Sequence, residues 1–146
     1  MGYERDRTRE KGFTLIEILI VMVILGLLAA LVGPRMFGQE RKARQRTAKM
    51  QITDLEVALD IYRLEVGRYP ATEEGLQALR ENPGELERWD GPYLKKGVPP
   101  DPWGNPYVYE SPGEHGDYDI ISLGADGSPG GEGDDMDIVS WKDIGA

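Results

Sequence analysis

The sequence predicts an α+β fold, in which one long N-terminal α-helix packs on a small antiparallel C-terminal sheet carrying an acidic, glycine-rich loop. Three observations predict it. Phe13 to Val32 is a run of twenty residues that is polar only at Thr14 and Glu17. Further on, Ile52, Leu55, Leu59, Tyr62 and Val66 recur at alternating helical spacing and form one apolar stripe. Beyond Gly67 the chain breaks into short segments divided by glycine and proline, which suit strands and turns better than helix.

The elements follow in order. Met1 to Gly12 is a leader with four bases and three acids, too charged to pack and too short to fold. The apolar run comes next, and at about 1.5 Å per residue it is roughly 30 Å long, the thickness of a bilayer core. Ordinary secretory signals have a shorter apolar region and a small-residue cleavage site behind it. Here Ala29–Ala30 is followed by Leu31 and Val32, so a retained membrane anchor is expected. Gly33–Pro34 interrupts the pattern without having to end the helix, because proline can kink one. One helix is therefore expected from about Phe13 to about Val66, closed by Gly67 and Pro70.

Thr72 reads as the N-cap of a short second helix, with Glu73 and Glu74 in its first turn, Leu76 and Leu79 facing inward, and Asn82–Pro83–Gly84 as its stop. "GPYLKKGVPPDPWGNP" reads as loop and turn, and strands are expected at Tyr107–Glu110 and Tyr118–Ser122. The chain thus divides into a leader over 1–12, an anchor helix over 13–34 and a soluble domain over 35–146.

Charge is distributed as unevenly as hydrophobicity. Net charge is −9, yet Arg35 to Lys49 holds six bases and one acid, while Gly97 to Trp141 holds ten acids and no Lys or Arg. The acidic end excludes nucleic acid as a partner. The basic stretch follows the anchor directly, where anionic lipid head groups or acidic neighbours are expected. The core is thin for 146 residues and the chain has no cysteine, so a staple other than a disulfide is expected.

Three features could carry chemistry. Glu17 lies inside the apolar span. It either sits at the head-group edge or meets a positive partner in an assembled state, since intramembrane acids are usually paired. Ile20 and Val21 occupy the helical positions where an internal base would stand, so such a partner would come from another chain. The acidic loop holds Asp126, Glu132, Asp134, Asp135 and Asp137 with four glycines and no base. It is either a solvated mobile loop or a site for a hard cation such as calcium, which takes carboxylate and carbonyl oxygens. Its spacing does not fit an EF-hand, and zinc is disfavoured because only His115 is near. The aromatic set Trp89, Tyr93, Trp103, Tyr107, Tyr109, Tyr118 and Trp141 reads as core of a domain short of aliphatics, with Trp103 set against the helix stripe. His115 lacks a Ser or Cys partner and receives no catalytic role. No phosphate-cradling loop or triad is present, and no enzymatic activity is expected.

Gly12 followed by Phe13-Thr14-Leu15-Ile16-Glu17 and a long apolar helix resembles the N-terminal signal of type IV pilins and pseudopilins. "RYPATEEGLQAL", "DPWGNPYVY", "GDYDIISLGADG" and "GGEGDDMDI" narrow the resemblance to the major pseudopilins of type II secretion, over almost the whole mature chain. That resemblance implies a pilin-like fold and a structural role, polymerisation into a pseudopilus that helps drive folded proteins through the outer membrane. It implies cleavage after Gly12 by a prepilin peptidase and methylation of Phe13, with Glu17 neutralising the Phe13 amine of a neighbouring subunit. It implies a calcium ion on the C-terminal loop, which we carry to the side chains of Asp126, Asp134 and Asp135 and the backbone oxygens of Leu123 and Ser128, with Asp137 and Glu132 in reserve. The implied partners are further copies, minor pseudopilins, the inner-membrane secretion platform and membrane lipid before assembly. The implied topology is a single pass of the inner membrane, N-terminus cytoplasmic and C-terminal domain periplasmic. Positive charge flanks the anchor on both sides and does not set this orientation by itself.

Two rivals remain. A major subunit of a type IV pilus shares the anchor, but such pilins commonly close their C-terminal region with a disulfide, which this chain cannot form. A membrane-anchored, calcium-dependent hydrolase or glycan-binding module would need a convergent polar pocket that no constellation here supplies.

Overall fold

The computed structural model describes residues 12–144, without the side chains of residues 34–37; most of the expected leader lies outside the described residues. The chain divides after Gly38 into two compact units. Helix α1 runs Leu15–Val66, 52 residues, and Gly33–Pro34 does not end it. It begins two residues later than the apolar run because Thr14 caps it. The Thr14 hydroxyl accepts the Glu17 N–H at 3.3 Å, and its carbonyl accepts the N–H groups of Glu17 and Ile18.

In the first unit, the apolar part of α1 is exposed on every side. Leu15 is 89% exposed and Leu31 71%, and even the least exposed large side chains here, Ile18 and Val21, remain at 49%. A helix apolar all round and buried nowhere needs lipid or other protein as its surroundings. It is long and apolar enough to cross a membrane.

In the second unit, α1 supplies the core. Four of the five expected stripe residues are buried, Ile52, Leu59 and Tyr62 at 0% exposure and Leu55 at 1%, with Val66 half-buried at the helix end, and Ala48 and Ala58 extend the stripe. Three strands form an antiparallel sheet in the order β1 (Val108–Glu110), β2 (Asp119–Ser122), β3 (Ile138–Val139). Tyr109 stands opposite Ile120 across β1 and β2, and Ser122 stands opposite Ile138 across β2 and β3. Tyr109, Ile120 and Ile138 join the helix stripe in one core, with Leu76, Ala78, Leu79 and Tyr107.

The second helix is shorter and tighter than expected, a 3-10 turn over Leu76–Leu79. Gly75, at φ +62°, bends the chain just before it and prevents an α-helical first turn. Thr72 is not its cap. Its hydroxyl instead exchanges hydrogen bonds with Ser111, accepting from the N–H at 2.9 Å and donating to the carbonyl at 3.1 Å. The 3-10 turn has no side-chain cap; ahead of it, the Glu74 carboxylate accepts the Ala71 N–H at 2.7 Å and pairs with both terminal nitrogens of Arg68. The Arg68 guanidinium, then burial, act in opposite directions on this carboxyl, and the balance holds it below the usual carboxylate range.

Most of the aromatic set behaves as core. Tyr107 and Tyr109 are buried, and Trp89, Tyr93, Trp103 and Tyr118 pack against the cluster. Trp141 is the exception. It stands outside and stacks on the His115 ring, centroids 3.7 Å apart and planes 5° from parallel, while His115 Nδ1 lies 2.9 Å from Asp119. This arrangement clasps the turn between β1 and β2.

Candidate functional site

The helix start is open to chemistry. Gly12 is exposed, and a side chain built on it would meet nothing within 4 Å. Phe13 is 80% exposed. Glu17 sits in the first turn of α1, where the helix dipole favours a carboxylate. Thr14-Leu15-Ile16-Glu17 has the spacing of a capping box, a signal present in the sequence that the charge argument passed over. Its threonine half is made. Among the described residues, Glu17 takes part in no ion pair.

The acidic loop leaves β2 at Leu123 and returns at β3. Two hydrogen bonds from backbone N–H groups close it. Ala125 N–H donates to the Asp134 carbonyl at 2.9 Å, and Gly130 N–H donates to Asp137 Oδ2 at 2.8 Å. Gly124 is required where the two limbs cross. Its φ is +67°, and a Cβ there would stand 2.7 Å from the Asp134 carbonyl oxygen. A 3-10 turn over Gly133–Asp135 presents Asp134 and Asp135.

Asp126, Ser128 and Asp134 are exposed, and Leu123 and Asp135 are half-buried. Asp126 Oδ1 accepts the Ser128 N–H at 3.0 Å. The carboxylates share one loop but are not drawn into a cage: among the described residues, no three Asp, Glu or His side chains converge as metal ligands. Asp137, held in reserve by the sequence reading, supplies the more telling atom. Its Oδ1 is buried without a hydrogen-bond donor. Such an oxygen is costly unless something positive reaches it. The loop offers oxygen donors alone, the chemistry of a hard divalent cation, so its residues fit calcium in kind.

Two supports of the loop were not foreseen. Asp101 is 3% exposed and accepts from three donors: the Ser122 hydroxyl at 2.6 Å, Asn105 N–H at 2.8 Å and Trp103 N–H at 3.1 Å. Asn105 in turn donates from Nδ2 to the Gly124 carbonyl at 2.8 Å. The "DPWGN" turn therefore reaches the base of the loop. An aspartate placed to accept from backbone N–H groups two and four residues on was the available signal.

The second support comes from α1. Gln45 Nε2 donates to the Gly133 carbonyl at 2.8 Å, and Lys49 Nζ donates to the carbonyls of Val139, Ser140 and Lys142 at 2.9, 3.0 and 2.7 Å. The basic stretch read as facing lipid or acidic neighbours is thus partly committed within the domain, since Arg44 also pairs with Glu40.

An exposed anchor helix starting at a capped Thr-x-x-Glu, joined to a helix-backed sheet with an acidic loop, defines a membrane-anchored assembly subunit of the pilin-like class. Comparison with known proteins agrees. The family description "Prokaryotic N-terminal methylation motif" matches residues 7–33, and "Type II secretion system (T2SS), protein G" matches residues 35–141. The type II secretion system core protein G of Pseudomonas aeruginosa is 49% identical over 141 residues, covering 93% of this chain and 98% of that one. Its counterpart in Vibrio cholerae is 47% identical, covering 92% and 93%. The crystal structure of the major pseudopilin from the type 2 secretion system of enterohaemorrhagic Escherichia coli matches with a TM-score of 0.62 at 40% identity, over 71% of this chain and 91% of that one. The chain belongs to the type II secretion system protein G family and is a pseudopilin.

Proposed function

We propose that the mature chain, beginning at Phe13, polymerises into the type II secretion pseudopilus and helps drive folded proteins across the outer membrane. The observation that carries this is the helix of anchor length whose apolar part, among the described residues, is exposed on every face. In lipid that helix is a stored monomer; in a filament, other copies replace lipid around it. Within the second unit, Met50, Val57, Ile61 and Leu64 are 68%, 55%, 42% and 84% exposed on α1, a further apolar surface suited to neighbouring copies. The role is structural and not enzymatic. The anchor crosses the inner membrane once, with the C-terminal domain periplasmic. Prepilin peptidase, the minor pseudopilins and the inner-membrane platform act on or with the chain.

The test is to produce the full chain with the secretion machinery and examine sheared filaments. Filaments are expected to contain a chain starting at N-methylated Phe13 by mass spectrometry. A processed chain that stays dispersed in the membrane would overturn the reading.

We also propose that the loop binds calcium through Asp126, Asp134 and Asp135 and the backbone oxygens of Leu123 and Ser128. The unpartnered Asp137 Oδ1 supports a cation there. When bound, calcium neutralises clustered carboxylates and fastens the loop's two limbs. Excess calcium at a hundred times its dissociation constant stabilises by about 2.7 kcal/mol, enough to raise the melting temperature by several degrees. Asp126→Ala combined with Asp134→Ala is expected to remove that rise in the detergent-solubilised chain. An undiminished rise in the double variant would exclude these ligands.

A further inference from the structure

We propose that Gln45 and Lys49 are positioning residues that couple the acidic loop to α1, so that calcium on the loop orders residues 41–49 of the helix. The proposal rests on the calcium reading above and adds to it where the effect of the ion travels.

Gln45 and Lys49 are four residues apart, so their backbones stand about 6 Å apart along one face of the helix. Gln45 holds Gly133, and Lys49 holds Val139. The segment strung between them, 134–138, carries Asp134, Asp135 and Asp137. The donor segment is therefore an arch with both feet on one helix face. An arch fixed at both ends has lost most of its conformational freedom before any ion arrives.

Both feet are well made. Gln45 is only 8% exposed, and its amide donates to a carbonyl in the turn that presents Asp134 and Asp135. The Lys49 ammonium has three protons and three carbonyl acceptors, so its hydrogen-bonding capacity is filled by the chain just after the arch. Arg41, one turn before Gln45, brings Nη1 within 3.5 Å of where a Cβ on Gly133 would stand. Arg41 thus lies beside the same turn, while the hydrogen bonds are made at 45 and 49.

Coupling of this kind is reciprocal. If calcium tightens the helix contacts, the helix contacts tighten calcium by the same factor. The experiment uses the full chain in detergent micelles, with calcium and with chelator. Hydrogen exchange in the unsubstituted chain is expected to slow in the loop, 124–137, and also at helix amides 41–49. In Gln45→Met and Lys49→Met, which keep side-chain length and remove the donor, loop protection by calcium is expected to weaken. The slowing at 41–49 should vanish, with calcium affinity reduced by about fivefold or more.

Calcium protection of the loop with none at 41–49 in the unsubstituted chain would overturn the coupling and leave the calcium reading standing. No calcium effect anywhere would overturn both. Variants whose melting temperature drops equally with calcium and with chelator would reduce Gln45 and Lys49 to structural contacts and also overturn the proposal. The arm on the unsubstituted chain decides even if a variant does not fold.

Discussion

Glu17→Ala is expected to leave the chain inserted in the membrane and processed after Gly12, yet to abolish filaments. The anchor becomes more apolar, so insertion improves: an acid at a helix centre opposes insertion by about 2.5–3.5 kcal/mol, and less near an end. Exposure at Gly12 is untouched. What disappears is the only acid in the apolar run, and with it the partner proposed for the Phe13 amine of the next subunit. Buried among apolar helices, a lone ammonium is penalised by several kcal/mol, while a matched pair recovers much of that cost. Glu17→Gln, which keeps the size and loses the charge, separates pairing from packing. Sheared filaments counted by electron microscopy, with the mature N-terminus checked by mass spectrometry, provide the measurement. Normal filaments from the alanine variant would rule out the pairing.

Asp101→Ala is expected to be among the most destabilising single changes in the second unit. It strands one hydroxyl and two backbone N–H donors around a site that is 3% exposed. Buried donors left without acceptors cost about 1–3 kcal/mol each, so a loss of about 3 kcal/mol or more is expected. The damage should spread through Asn105 to Gly124 and weaken calcium binding as well. Asp117→Ala serves as the contrast, because that side chain is 71% exposed and its contact with Arg63 is loose at 3.5 Å. Its effect should be within about 0.5 kcal/mol. Urea unfolding of both variants in detergent checks the pair, and equal stabilities would contradict the role given to Asp101.

How much of this was legible in the sequence depends on the range of the interaction. The α1 stripe and the first two strands were readable because their signals are periodic and local: Ile52 to Tyr62 at helical spacing, and Ile120 among alternating neighbours. Strand β3 was not. Two residues, Ile138 and Val139, carry no period, and only pairing with β2 makes them a strand. Thr72 was misread because Ser111, 39 positions away, offers its hydroxyl two hydrogen bonds in place of one. Trp141 was expected in the core, but the coplanar His115 ring gives it a partner at the surface.

The candidate site divides in the same way. Residue types on the loop announced oxygen ligands, whereas its supports, Asp101, Asn105, Gln45 and Lys49, lie 19 to 93 positions from the distant groups they hold. A lysine in a basic run looks free until three distant carbonyls are seen to converge on it.

Helix α1 serves two masters at once. Gln45, Ala48, Ile52, Leu55, Leu59 and Tyr62 face inward, while Met50, Val57, Ile61 and Leu64 face out. Each residue turns the helix by about 100°, so one residue inserted between Gln45 and Tyr62 would rotate every later position onto another face. Substitutions along α1 can be absorbed one at a time, but a change in its length cannot. A change in length is expected to be absorbed better in the turns between Leu79 and Asp101, where no periodic element keeps count. In that sense the helix is a fixed gauge against which the sheet and its turns are set.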